Sequence, residues 1–490
     1  MNASGDGGPQ RVADAAGHRL ARLATAGSAL VLASASAAQM LLFLGEFGTS
    51  ATTDGVLGAY SLYVLVTVFA QGSRISASAA IGGERPRMRS VDLAWGLAAV
   101  SVLLVVLATV LREPLSQLVA SGEEARDAAA DLLPVLGLGM AAQFAAVTWA
   151  TIIAQRGRLT WGALSLAAGG IVGLAGFALL LPSQRENALG WATVISGATA
   201  CGGMAIVALP RWHRPSPRAA LSALGMLGRE NLVPMFSTAV YVVSVGFCAQ
   251  VTDEAGAVSL FALAFLACSY LCGILGTTTA IVDTVVLADA RDELGARLRR
   301  IVLAGVRLPF FLAGAALALG ALVGPPLVAL VAPERVGTAD PELLATCLLL
   351  LAPFTFATLA TNVAFSCWFT SDAVLRLNRG LLFALPLHVA ATALLGLALG
   401  VTGVALAAGV STVAFGVYAL RPAAGLGRIV AGLAVAAAAL AAVSFGPAAA
   451  LAQLVDDELV RGLVAAGVGS AAFAVALRAA APRLASAIRP

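Results

Sequence analysis

Apolar runs of roughly 20 residues recur along the chain and are separated by short polar loops. A run of that length can cross the hydrocarbon core of a bilayer as a helix, because lipid offers no partner for an unpaired backbone amide. The runs predict spans at residues 20–44, 55–81, 91–111, 128–154, 160–181, 188–210, 229–251, 256–287, 299–331, 342–369, 379–397, 399–420, 428–446 and 460–480. The expected fold class is therefore an all-α polytopic membrane protein with fourteen transmembrane helices.

The second predicted span carries a continuous polar stripe. Steps of three and four residues place six polar side chains on one helical face. They are Tyr60, Tyr63, Thr67, Gln71, Arg74 and Ser78. A spanning helix with such a stripe either lines a water-filled path or buries polar groups against other helices. We favour the path, because the stripe contains an amide and an arginine.

Three other predicted spans carry weaker polar faces. These are Thr25, Ser28, Ser36 and Gln39 in the first, Ser237, Tyr241, Ser244 and Cys248 in the seventh, and Thr355, Thr358, Asn362, Ser366 and Thr370 in the tenth. Together they predict a cavity between two lobes, although small hydroxyls alone also join packed helices. The side chains predicted to line the cavity or its gate are Gln39, Tyr63, Thr67, Gln71, Arg74, Ser237, Tyr241, Asp283 and Asn362.

Arg74 lies in the cytoplasmic third of its span, and two interpretations remain open. It can extend to the lipid headgroups, or it can pair with Asp283, near the cytoplasmic end of the eighth span. A pair between the lobes would close the inner mouth of the cavity. Charge reversal tests this hypothesis: Arg74→Asp and Asp283→Arg should each impair transport, and the double variant should partly recover it.

The chain partly repeats itself after its sixth span. TTDGVLGAYSLYVLVTVF from Thr52 and VTDEAGAVSLFALAFLACSY from Val251 both begin with Thr-Asp and enter a long helix. Even numbers of spans make these parallel repeats. The predicted organisation is a disordered N-terminus (1–19), a first lobe (20–210), a linker (211–228), a second lobe (229–420) and an extra helix pair (421–490). Asp54 and Asp253 are expected to cap their own helices.

The loops indicate how the chain is oriented. Lysine is absent, and most of the 30 basic residues, all of them arginine, fall in alternate loops and at both termini. The intervening loops hold only Arg112, Arg126, Arg185, Arg335 and Arg461, and several of these loops are acidic. Cytoplasmic loops are enriched in basic residues. The sequence therefore predicts a multi-pass protein of the cytoplasmic membrane with both termini inside.

Composition excludes other classes of function. Hydrophobic residues make up 60% and charged residues 11% of the 490 residues. We expect no enzyme activity, cofactor or metal site, because no nucleotide-binding loop, zinc motif or catalytic cluster is visible. The scattered arginines do not form a nucleic-acid surface, and the six cysteines fall in apolar segments as free thiols. His388, in the eleventh span, is expected to be buried and hydrogen-bonded; a proton relay is the alternative.

Three stretches resemble the MurJ/MviN branch of the multidrug/oligosaccharidyl-lipid/polysaccharide (MOP) exporter superfamily. They are GTSATTDGVLGAYSLYVLVTVFAQGS (48–73), IIAQRGRLTWGALSLAAGGIVGL (152–174) and TTTAIVDTVVLADARDELGARLRRIVLAGVRLPFF (277–311). The resemblance implies two six-helix lobes, an extra helix pair that can shelter a lipid tail, and alternating access. The family's lipid II flippases carry cavity arginines in the first and eighth helices, whereas residues 28–44 and 256–282 of this chain are uncharged.

The resemblance implies flipping of a lipid-linked cell-wall or polysaccharide precursor from the inner to the outer leaflet. The expected partners are that lipid-linked substrate, membrane lipids and cell-wall synthesis proteins. Two alternatives stay open. One is a multidrug exporter of the same superfamily, and the other is a scaffold of a cell-wall assembly complex that does not transport.

Overall fold

The computed structural model describes residues 8–81, 90–155, 158–206, 216–277, 293–331, 339–369 and 373–486, and every regular element in these ranges is helical. The first half contains α1 (Gly8–Phe47), α2 (Ala51–Ile81), α3 (Ser90–Val110), α4 (Arg112–Val119), α5 (Glu123–Gln155), α6 (Leu159–Gln184) and α7 (Asn187–Ala205). The second half contains α8 (Pro217–Val251), α9 (Ala257–Cys272) with a π-helical turn (Gly273–Thr277), α10 (Leu294–Val331), α11 (Glu342–Leu350), α12 (Ala352–Phe369), α13 (Val374–Leu399) and α14 (Val401–Leu420). A last pair is α15 (Leu426–Ala452) and α16 (Glu458–Ser486).

The described helices make this a multi-pass membrane protein. Ten of them are long and apolar enough to cross a bilayer, or twelve if each of two bent pairs counts as one span. The predicted number of fourteen is thus not confirmed. The two other predicted spans fall on α7 and on α8, whose apolar part is only Met235–Val251. Both helices are wrapped by neighbours, and α7 in particular is rich in Gly and Thr. A helix that faces protein on most sides needs little apolar surface.

The ends of two predicted segments differ from expectation. α1 begins at Gly8, so residues 8–19 of the predicted disordered N-terminus are helical. α8 begins at Pro217, with the Ser216 hydroxyl accepting a hydrogen bond from the Ala219 amide, so most of the predicted linker belongs to a helix. Serine before a proline at the first helical position is a common helix start.

Within the first half, α2, α3 and α7 pack on α5, and α6 lies against α1 and α7. The close approach of α2 to its neighbours depends on two glycines. A Cβ on Gly55 would lie 1.9 Å from the Ala125 carbonyl oxygen, and a Cβ on Gly58 would lie 2.4 Å from the Val119 carbonyl oxygen. Small residues allow such backbone contact between membrane helices.

In the second half, α12 lies between α10 and α14, and α13 packs on α14 and α8. The hairpin of α15 and α16 is attached to α10. The two halves meet most extensively where α2 packs along α8, with further contacts between α3 and α8 and between α2 and α9. Of the helices in this junction, α2 and α8 also carry predicted polar faces.

Candidate functional site

A cavity of about 360 Å³ lies between the two halves. Its walls come from α1, α2, α5, α6 and α7 on one side and from α8, α9, the π-helical turn and α12 on the other. Among the described residues that line it, none is Asp, Glu, Arg or His. The polar lining consists of hydroxyls together with the amides of Gln39, Gln143 and Asn362. Such a wall offers hydrogen bonds and apolar contact but no fixed charge.

The structure brings six of the nine predicted residues into this cavity: Gln39, Tyr63, Thr67, Ser237, Tyr241 and Asn362. The side chains of Gln71 and Arg74 and the whole of Asp283 lie outside the described residues, as does Thr370. The proposed Arg74–Asp283 pair therefore stays a prediction, and so does contact between any of the nine and a substrate.

Tyrosine and phenylalanine rings line both sides of the cavity. Four of the five tyrosines in the chain line it, namely Tyr60, Tyr63, Tyr241 and Tyr270. The rings of Tyr60 and Tyr63 lie 5.1 Å apart. On the opposite wall the ring of Phe265 lies 4.7 Å from that of Tyr241. Rings with polar tips suit a ligand that has both an apolar face and hydrogen-bonding groups.

Tyr270 of α9 was not among the predicted site residues. Its hydroxyl lies close to those of Ser36 on α1 and Tyr60 on α2, so it meets the opposite half. Gln143 of α5 was also missed; its side chain lies close to that of Tyr63. Gln143 is an isolated polar residue in an apolar span, and Tyr270 directly follows Ser269. Neither residue belongs to a polar stripe at helical spacing, so the sequence pattern did not indicate them.

Two buried hydroxyls on the second-half wall, those of Tyr241 and Thr358, have no hydrogen-bond partner among the described residues. Both residues line the cavity, and their exposed fractions are 0% and 5%. Buried polar atoms are nearly always paired. A ligand, a water molecule or another conformation of the cavity could supply the missing partners.

The two halves also meet beside the α1–α2 turn, through the Asp54 carboxylate. One carboxylate oxygen accepts the Gly256 amide hydrogen at 2.9 Å. The other accepts from the amide and the hydroxyl of Ser259. Asp54 therefore caps α9 of the opposite half, and the prediction that it caps its own helix is wrong. Ser50 has the local role, because its hydroxyl accepts from the Thr53 amide.

A close backbone contact completes this junction. Gly256 has a φ of +93°, and a Cβ on it would lie 2.7 Å from the Thr49 Cβ atom. Nearby, a Cβ on Gly45 would lie 3.4 Å from a methyl carbon of Val331. We call the set Thr49, Asp54, Gly256 and Ser259 the outer junction, because arginine placement predicts that this end faces outward. Asp253, the counterpart of Asp54 in the sequence, is exposed in the loop before α9.

His388 lies apart from the cavity, between α13, α8 and α14, with no exposed surface. Its ring nitrogens lie 3.3 Å from the Ser244 hydroxyl, 3.1 Å from that of Ser411 and 3.1 Å from the Val240 carbonyl oxygen. The prediction of a buried, hydrogen-bonded imidazole is confirmed. Its neighbourhood also accounts for Ser244, which belonged to a predicted polar face but does not reach the cavity.

Solved structures of membrane transporters share this fold. A lipid II flippase MurJ in an inward closed conformation matches with a TM-score of 0.67 and 16% identity, over 94% of this chain and 99% of that one. A multidrug resistance MATE family transporter in an inward-facing conformation matches with a TM-score of 0.62 and 16% identity, over 84% of this chain and 99% of that one. A MOP superfamily transporter from Pyrococcus furiosus matches with a TM-score of 0.61 and 16% identity, over 84% of this chain and 96% of that one.

No protein-family model and no curated protein matches the sequence. The resemblance to the MOP superfamily is thus confirmed by structure, at the level of the fold. Flippase and multidrug-transporter structures resemble this chain to a similar degree, so the fold alone does not choose between them.

Proposed function

We propose that this protein is a membrane transporter that works by alternating access and moves a lipid-linked precursor from the inner to the outer leaflet. The observation that carries the proposal is the cavity between the two halves, lined by hydroxyls, amides and tyrosines and devoid of charge among its described residues. An amphiphile can place a polar, uncharged portion of its headgroup there while its apolar tail stays in lipid. A mid-membrane site between two lobes is typical of such transporters.

The outer junction supports a state in which the cavity is closed toward the outside. Asp54 holds the N-terminus of α9 with three hydrogen bonds, and farther along α9 the Tyr270 hydroxyl lies close to those of Ser36 on α1 and Tyr60 on α2. Both sets of contacts connect opposite halves. Release of these contacts, with rocking of the two lobes, would open the cavity to the outer leaflet. The Arg74–Asp283 pair would then close the inner mouth.

The proposal places the protein in the cytoplasmic membrane with both termini inside and cell-wall synthesis proteins as neighbours. The missing arginines in the first and eighth helices argue against a diphosphate held inside the cavity, since a diphosphate needs several charged donors. The substrate is therefore better described as a lipid-linked precursor whose sugar or other neutral portion enters the cavity.

Depletion and reconstitution test the proposal. Depletion in the native cell should cause a lipid-linked precursor to accumulate on the inner leaflet, and the purified protein should carry that precursor across liposome membranes. Ser36→Trp, which fills the cavity, should abolish transfer. Ser34→Trp is the matched control, because Ser34 lies two residues away on the exposed side of α1 and does not line the cavity.

If the protein is instead a scaffold that does not transport, variants with a blocked cavity should still support growth. If Ser36→Trp or Arg74→Ala restores growth as well as the wild type does, transport is not the essential activity, and the proposal is wrong. Failure of the purified wild-type protein to move any accumulated precursor would lead to the same conclusion.

The aromatic lining favours a second candidate, export of planar organic cations. Tyrosine faces attract cations by about 0.5–2 kcal/mol per contact. Tyr60, Tyr63 and Tyr241 could supply such contacts without a carboxylate. Cells that overproduce the protein should then accumulate less ethidium, and Ser36→Trp should remove the effect while Ser34→Trp keeps it. Equal accumulation in all three strains would exclude this candidate.

A further inference from the structure

A second cavity, separate from the first, opens on the side of the second half that faces away from the first half. It has a volume of about 310 Å³ and lies between α10, α12, α14 and α15. Its floor is buried and apolar and includes Phe310, Phe356, Ala360, Leu420 and Val430. We call it the α15 groove.

The α15 groove faces lipid. Its rim residues Val413, Val417 and Val435 have exposed fractions of 41%, 62% and 68%. Small residues leave the space open: Gly416 of α14 and Ala357 of α12 face each other with only 3.7 Å between a Cβ built on the glycine and the Ala357 Cβ atom. In a bilayer such a groove is filled by an alkyl chain, because lipid acyl chains surround it.

The groove begins at one end of the helices and reaches about as far as one leaflet. Leu420 is the last residue of α14 and Gly427 the second of α15, and the α15 lining continues to Ala438. At 1.5 Å per residue, residues 427–438 cover about 16 Å. Half of a hydrocarbon core is roughly 15 Å. The groove therefore fits one acyl chain of a lipid whose headgroup lies at the α14–α15 turn.

Positive charge surrounds that turn. Arg421 directly follows Leu420, Arg428 directly follows Gly427, and both arginines are exposed. The N-terminal end of α10 reaches the same turn, because a Cβ on Gly295 would lie 2.6 Å from the Pro422 carbonyl oxygen. That end adds the exposed Arg299 to the cluster, and Glu293 is its one described acidic residue.

We propose that the α15 groove, with Arg421 and Arg428 at its mouth, is a binding site for an anionic glycerophospholipid of the inner leaflet. The phosphate lies against the two guanidinium groups and one acyl chain lies in the groove. Basic pockets between membrane helices on the cytoplasmic side recognise anionic lipid headgroups in this way. The site is independent of the central cavity, and it does not depend on what the protein transports.

Titration of the delipidated full-length protein with dioleoyl phosphatidylglycerol or dioleoyl phosphatidylcholine tests the site, with bound lipid counted by native mass spectrometry. The wild type should bind phosphatidylglycerol more tightly. Each of Arg421→Gln and Arg428→Gln should weaken that binding about fivefold, and the double variant about 25-fold, to the level of phosphatidylcholine. Arg218→Gln, an exposed arginine at the start of α8, carries the same charge change and should bind as the wild type does.

Filling the groove tests the acyl-chain contact. Ala434→Trp should abolish binding of both lipids at this site, whereas Ala439→Trp, on an exposed part of α15 outside the groove, should not. If Ala434→Trp does not fold, the arginine variants still decide, because both side chains are exposed. Unchanged phosphatidylglycerol affinity in the double arginine variant would overturn the proposal. So would tight binding of a polyprenyl phosphate together with equal affinity for the two phospholipids, which would assign the groove to a substrate tail.

Discussion

At the scale of single residues, Asp54 has the most consequential contacts in the described structure. Two carboxylates occupy equivalent places in the repeated Thr-Asp motif, yet only Asp54 is hydrogen-bonded to the opposite half, through Gly256 and Ser259. A carboxylate at a helix N-terminus satisfies free amides and opposes the positive end of the helix dipole. Here that ordinary cap joins two bodies that must separate if the cavity is to open outward.

Asp54→Asn should open the outer junction. Hydrogen bonds to a charged group contribute about 1.5–3 kcal/mol, so loss of about 2 kcal/mol shifts the closed-to-open ratio about 30-fold. In a variant without the native cysteines, the measurement is labelling of a cysteine introduced at Ser269, in the cavity, by an impermeant maleimide added outside. Asp253→Asn is the matched control, because Asp253 is exposed. Equal labelling of the two variants would show that Asp54 does not hold the junction.

His388 should matter for stability and not for proton transfer. His388→Leu leaves the buried Ser244 hydroxyl without its imidazole partner, at a cost of about 1–3 kcal/mol. We expect a lower melting temperature in detergent and unchanged transport per folded molecule at every pH. Val389→Leu, at the neighbouring lipid-exposed position, should melt as the wild type does. A stable His388→Leu protein that no longer transports would favour the proton relay.

These two residues show what local pattern can and cannot predict. The imidazole was predictable, because a titratable group inside an apolar span must be paired wherever it lies. The partner of Asp54 was not, because Gly256 lies 202 residues away in the chain and the motif around Asp54 is consistent with an ordinary cap. The cavity residues on α1, α2 and α8 were predictable from helical spacing. Tyr270, which directly follows Ser269, and Gln143 do not belong to a polar stripe at helical spacing.

At the scale of the helices, two bends in the chain coincide with prolines, and a count of apolar residues does not indicate them. The chain turns by 78° between α3 and α4 and by 44° between α11 and α12. Pro114 and Pro353 lie in the first turn of the helix that follows each bend. Proline is accepted in a first turn, but it has no amide hydrogen to donate to the preceding helix, so it favours a break there. A count of apolar residues alone treated 342–369 as one straight span.

Close helix packing gives a prediction at this scale. Gly58→Ala should loosen α2 from α4, since the new Cβ would lie 2.4 Å from the Val119 carbonyl oxygen and a backbone must move. Overpacking of this kind costs about 1–3 kcal/mol. The melting temperature should fall, and the side chain of the neighbouring cavity residue Tyr60 should become more mobile. Gly202→Ala in α7 meets no atom within 4 Å and should be neutral or slightly stabilising. Equal melting temperatures for the two variants would contradict the close packing.

At the scale of the whole molecule, apolar length and helical spacing predict the helical membrane class and the cavity-lining faces, and the resemblance of three stretches to a known family predicts the superfamily fold. The packing of the two halves depends on shapes that meet across long stretches of chain. The outer junction is one such meeting, and its neighbours on α2 make contacts of a different kind. Thr52 donates a hydrogen bond at 2.6 Å to Glu124, which belongs to the same half. The molecule thus offers two adjacent links, one between the halves and one within a half.

These links provide the sharpest test of rocking. In a variant without the native cysteines, Asp54→Cys with Ser259→Cys, joined by a short bifunctional thiol reagent, ties the two halves together and should stop transport. Reduction of the link should restore it. Thr52→Cys with Glu124→Cys carries the same reagent within the first half, and transport should continue. If both cross-linked proteins transport equally, the halves do not separate at the outer junction during the cycle. If both stop, motion within the first half is required, and rigid-body rocking is not the mechanism.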